Sequence, residues 1–138
     1  MPVTHVDEIA NNAAHGGTLG FVGALNVRNA AIGIWYGAIA SGNHTDPQYH
    51  DGDELVYFIS GVGIAVVEDE RTAVTGGMLL TIPAHQVHIV ENTGADSLIA
   101  LVIMPSTIRS FDPDGHEVES PSLGSLSISP VVYEGEMS

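Results

Sequence analysis

Two short stretches, HTDPQYHDGDE at 44–54 and PAHQVHIVEN at 83–92, concentrate side chains that can hold a cation or move a proton. Gln48 and His50 are two residues apart, so on an extended strand both side chains leave the same face. Glu54 follows the tight DGD turn and heads the apolar run LVYFIS, an odd place for a carboxylate that meets only solvent. With the same parity, Val56, Phe58 and Ser60 are expected to line the interior beside it. His88 comes after the turn PAHQ, on a segment able to lie beside the first pair. Imidazole nitrogen, carboxylate and amide oxygen make a borderline-hard donor set, suited to Fe, Mn, Zn, Ni or Co rather than Ca. His50, Glu54 and His88 would by themselves form a two-histidine, one-carboxylate facial triad, which leaves open positions on Fe(II) for substrate and dioxygen. The expected metal ligands are Gln48, His50, Glu54 and His88.

Other side chains could carry the proton transfers that a Lewis-acid reaction needs. His85, His44, Tyr57 and a displaced Glu54 are the candidates for acid or base, the ordinary alternative for each loop histidine being a solvent-exposed ring. Trp35, Tyr36, Tyr49, Tyr57 and Phe58 are candidate pocket walls or core, and Tyr49, alternating with two ligand candidates, is expected to face away from the metal. Arg109 could anchor a substrate carboxylate or pair with one of the many acidic residues.

Strands must position these groups. Runs rich in Val, Ile, Leu and Tyr recur between Gly, Asn, Asp and Pro, and no long segment has helical periodicity. The expected strands are 17–25, 31–39, 54–60, 63–69, 78–83, 87–92, 97–104 and 126–133, an all-β sandwich or closed barrel. EDERT is expected as the hairpin turn between 63–69 and 78–83, and 111–125 as a polar connector. The 138 residues suit one domain, 1–138, with a core barrel over about 17–110 and flanking arms.

Composition removes several functions. Seventeen Asp and Glu against three Lys and Arg give a net charge of −14, a field that repels nucleic acid and anionic membrane surfaces. Lys is absent, which excludes Schiff-base chemistry, and Cys is absent, which excludes disulfides and thiolate ligands. The N-terminus lacks a basic region followed by an apolar stretch, and no apolar run approaches a membrane span, so a cytoplasmic location is expected.

The spacings Gly42-x5-Gln48-x-His50-x3-Glu54-x6-Gly61 and Gly77-x5-Pro83-x-His85-x2-His88-x3-Asn92 resemble the two motifs of the cupins. Gln48 stands where a first histidine is usual, and His85 where glycine is usual. The resemblance implies a double-stranded β-helix or jelly-roll barrel, one divalent transition metal per chain, a small-molecule substrate and a homodimer. Its reactions are diverse, so activity has to come from the site. Fe(II) is the first expectation, with Zn, Mn or Ni as alternatives. The activity expected first is a dioxygenase acting on a small oxygenated substrate. A redox-silent isomerase, cyclase, dehydratase or lyase comes second, since Gln48, His50, Glu54 and His88 together look like the ligand set of zinc phosphomannose isomerases. A non-catalytic binding module is third.

Overall fold

Alternation of burial is plainest in LIALVIMP, where Leu98, Ala100, Val102 and Met104 are buried and the residues between them only half-buried. A computed structural model describes Ala24–Leu25 and residues 32–118. The strands are β1 (Ala24–Leu25), β2 (Ile32–Ile39), β3 (Tyr49–His50), β4 (Glu54–Ser60), β5 (Val62–Val67), β6 (Glu70–Thr75), β7 (Leu79–Ile82), β8 (His88–Asn92), β9 (Leu98–Pro105), β10 (Ser110–Phe111) and β11 (Glu117–Val118). They form one five-stranded sheet, β1-β2-β9-β4-β7, and two three-stranded sheets, β11-β10-β3 and β6-β5-β8. All pairings are antiparallel. No helix is found among the described residues, and so none is long and apolar enough to cross a membrane.

β9 is the spine of the large sheet, paired with β2 from Ile32↔Pro105 to Ile39↔Leu98 and with β4 from Leu55↔Ile103 onward. Inward residues of this sheet, Trp35, Val56, Phe58, Val102 and Met104, share one core with Ala65, Val74 and Val90 of the β6-β5-β8 sheet. Burying such side chains is worth roughly 1.5–3 kcal/mol each, which fixes the facing of every strand. The architecture is the expected all-β jelly roll.

Three expectations change. EDERT is not all turn: only Glu68 and Asp69 turn, and Glu70 and Arg71 already belong to β6, paired with Val67 and Val66. β6 is an edge strand in which Val74 alone is buried, so its polar residues disguise it. Ser60 is exposed rather than interior, because the β4·β9 register shifts between Phe58 and Ser60 and sets Ser60 opposite outward-facing Ile99. Within the connector, β11 pairs with β10. Most of 17–25, all of 126–133 and the remainder of the connector lie outside the described residues.

Candidate metal centre

β4 enters the barrel at Glu54, whose Cα partner on β7 is buried Ile82, and the strand carries the carboxylate inward with Val56 and Phe58. His50 ends β3 and His88 begins β8, and both are buried. The side chains converge: His50 Nε2 and His88 Nε2 each stand 3.1 Å from Glu54 Oε1. That oxygen nevertheless accepts no well-directed hydrogen bond, although it is shut off from water. A buried carboxylate oxygen flanked by two ring nitrogens yet short of well-aligned donors is a position suited to a cation. One ligand atom from each of the three residues lies within 4.8 Å of the others, a spacing that fits a single cation among them.

The electrostatics agree. Burial raises the Glu54 carboxyl, but the facing imidazoles outweigh it and bring its pKa from 4.5 to about 2. Burial lowers His88, and Glu54, with help from the Gln86 carbonyl, raises it above its usual value of 6.5 by more. Behind the rings, His88 Nδ1 is 3.0 Å from Gln86 O and His50 Nδ1 is 2.9 Å from Ser110 Oγ. Both Nε2 atoms are thereby turned toward Glu54.

Gln48 is half-buried and bridges to His88 by backbone hydrogen bonds in both directions. Directly opposed residues of an antiparallel pair share a face, so the register sets Gln48 on the His88 side of the ladder. The other proton-transfer candidates are not brought to the carboxylate. Tyr57 is 42% exposed and points from the opposite face of β4, as its odd spacing from Glu54 requires. His44 is exposed with Nδ1 against Thr45 O at 2.8 Å, and exposed His85 lies beside the Tyr49 ring. Arg109 is exposed and bonds Glu117 Oε1 at 2.8 Å, so its partner is the surface carboxylate. Trp35, Tyr36 and Phe58 are core, and Tyr49 stacks on Phe111 with ring centroids 5.1 Å apart. A second acidic group, Asp112, Asp114 and His116, braces its own turn, Asp112 Oδ1 accepting from the backbone N–H groups of Asp114 and His116.

Residues 35–104 match the family model described as the cupin domain. The chain is a cupin. It is 27% identical over 106 residues, 76% of this chain and 97% of the relative, to an uncharacterized protein of Streptomyces coelicolor. A crystal structure from Thermus thermophilus has a TM-score of 0.63 at 20% identity, covering 76% of this chain and 97% of that one. A proposed sugar phosphate isomerase from Acidithiobacillus ferrooxidans has a TM-score of 0.55 at 27% identity. That match covers 61% of this cupin and only 57% of the isomerase chain.

The other motif positions of this cupin serve the backbone. Gly61 has φ 98°, and a Cβ there would sit 2.6 Å from Ser97 O, so only glycine closes the β4–β5 turn. Asn92 is buried and ties three segments together, donating to Ile39 O and Asp96 O and accepting from Gly94 N–H. His85 keeps the left-handed backbone of the usual glycine, φ 71°, and its N–H donates to His50 O at 2.8 Å. Ser110 was not anticipated from sequence. The signal available was its period-two spacing from apolar Ile108, which puts a lone hydroxyl on the buried face.

Proposed function

We propose that this cupin is a metal-dependent enzyme, an Fe(II)-type dioxygenase of a small oxygenated organic substrate. The observation that carries the reading is that His50, Glu54 and His88 converge inside an apolar barrel with no other buried carboxylate or imidazole among the described residues. Isomerase or lyase chemistry needs a base within hydrogen-bond reach of the substrate, and with His85, His44 and Tyr57 exposed that role would fall to a displaced Glu54. Oxygenase chemistry asks the protein for ligands and a dry pocket. Fe(II) would supply open positions and electron transfer to dioxygen when bound. Trp35, Val56, Phe58, Ile82, Val102 and Met104 are apolar core on the inward side of the sheet that carries Glu54, and Gln86 O and Ser110 Oγ hold the two rings in place.

Charge narrows the substrate. There is no Lys, Arg71 and Arg109 are exposed and paired with Glu91 and Glu117, and Arg28 lies outside the described residues. With both described arginines held by surface carboxylates, the substrate class we favour is a diketone, enol or hydroxy acid gripped by its own oxygens. The second reading, a redox-silent Zn, Mn or Ni enzyme, is favoured by the register of Gln48 against His88, which offers a fourth ligand.

Elemental analysis of protein purified without added metal or chelator comes first. Anaerobic reconstitution with Fe(II) follows, with oxygen uptake recorded against diketones, enols and hydroxy acids. Substrate-dependent uptake supports the oxygenase. Zinc, manganese or nickel as the resident metal with no uptake favours the second reading, and no metal at all leaves a binding module.

A further inference from the structure

The two imidazoles of the centre are backed by groups of different kinds. His88 Nδ1 faces the Gln86 carbonyl, which only accepts, so that nitrogen carries a proton. His50 Nδ1 faces the Ser110 hydroxyl at 2.9 Å, and a hydroxyl both donates and accepts. Ser110 is 1% exposed, and its Cα partner in the β3·β10 ladder is His50 itself. Opposed residues project from one face, so the ladder aims the hydroxyl at the ring.

β10 lies outside residues 35–104, the part that matches the cupin domain. It is nevertheless fastened to β3 on both sides of His50. Asp51 Oδ1 accepts the Arg109 N–H at 2.8 Å, and Arg109 O accepts the Asp51 N–H at 3.2 Å. Phe111 stacks on Tyr49, and the Arg109 guanidinium sits 5.4 Å over the Phe111 ring. The chain downstream of the matched domain thus returns to stand behind one candidate ligand.

We propose that Ser110 is a positioning residue for His50, accepting from Nδ1–H when a cation occupies Nε2 and donating to Nδ1 when Nε2 is protonated, so that the ring keeps one orientation in both states. The inference rests on the reading of His50 as a ligand. A carbonyl in the same place could serve only one of the two tautomers.

The test compares full-length wild type with Ser110→Ala and Ser110→Thr. Affinity for Zn(II) alone, measured by competition with a chromophoric chelator, should fall roughly 10- to 100-fold in the alanine variant, the usual effect of losing such a partner. Threonine retains the hydroxyl and should restore binding to within about 3-fold of wild type. Imidazole 15N spectra supply a readout that loss of packing would not move. In zinc-loaded wild type His50 should be protonated at Nδ1, and in zinc-free Ser110→Ala its signals should average between tautomers while those of His88 stay put. Thermal melts separate unfolding from misorientation. Wild-type zinc affinity together with unchanged His50 signals in Ser110→Ala overturns the proposal. Failure of the wild type to bind zinc, with His88→Ala indistinguishable from it, sinks the metal reading instead. The zinc-free His50 spectrum then still decides for or against Ser110.

Discussion

Glu54 is the residue on which the centre turns, a carboxylate held ionised in a place that should neutralise it. Its folded-state pKa of about 2 lies below the ordinary 4.5, so in metal-free protein its contribution to stability is present above pH 4.5 and is lost as the pH falls toward 2. The size is on the order of 3 kcal/mol at ~1.4 kcal/mol per unit. His88 works in the opposite sense: raised above 6.5, it stabilises fully below that value, and the contribution goes as the pH rises through its folded pKa. Denaturant titrations in chelator between pH 2 and 9 should show both limbs, and Glu54→Gln should flatten the acid one. An unchanged acid limb in that variant would remove the electrostatic account. His50→Ala and His88→Ala should each abolish stoichiometric metal with the barrel still folded. Trp35, the single tryptophan, is buried on the same sheet face as Glu54, so quenching of its fluorescence by Co(II) should vanish in both variants. At this scale the ligands could be read from the chain because side-chain type and parity carry the information. The Gln86 carbonyl could not, since a backbone oxygen has no residue identity, and Ser110 is brought to His50 only by a ladder between segments sixty residues apart.

At the scale of elements, β2, β4, β8 and β9 were legible because short runs of Val, Ile, Leu and aromatic residues stand between turn-forming residues. β6 was not, since as an edge strand it buries only Val74, and its charges read as turn. The bulge after Phe58 was equally hidden, for it is a matter of pairing with β9 and leaves no mark on local composition. The turn before β8 also explains why an imidazole so near the ligands does not join them. His85 sits at φ 71° to deliver its N–H to His50 O, and in that conformation its side chain lies against Tyr49 on the outside. A side chain in this left-handed region costs about 1–2 kcal/mol. His85→Gly should therefore raise unfolding stability by roughly 0.5–1 kcal/mol, after allowing for the extra freedom of glycine in the unfolded chain. Metal affinity should stay within about 2-fold of wild type. A large loss of metal in His85→Gly would return the imidazole to the site.

On the whole molecule the acidic charge is unevenly placed. On the outward side of the five-stranded sheet, half-buried Ile34, Ile103 and Leu55 form one row, and Leu101, Tyr57 and Leu79 continue the next beyond buried Tyr36, none of these positions being charged. Leu79 is 61% exposed, and the row ends at β7, an edge of the sheet. Tyr57 and Leu79 leave an exposed apolar patch at that edge of a chain whose net charge is −14. We propose that this patch serves self-association, two copies meeting through it about a twofold axis, since an isologous contact needs only one self-complementary patch. The resemblance to cupins implies a homodimer, for which this patch is the proposed contact. Light scattering at roughly 50 µM should give twice the chain mass, an interface of ordinary size being stable at that concentration. Leu79→Asp or Tyr57→Asp sets like charges against each other across the axis and should give a monomer that still binds metal, because both side chains point away from Glu54. A monomeric wild type would discard the proposal, and a variant that lost metal along with the dimer would show that the second subunit helps to build the centre.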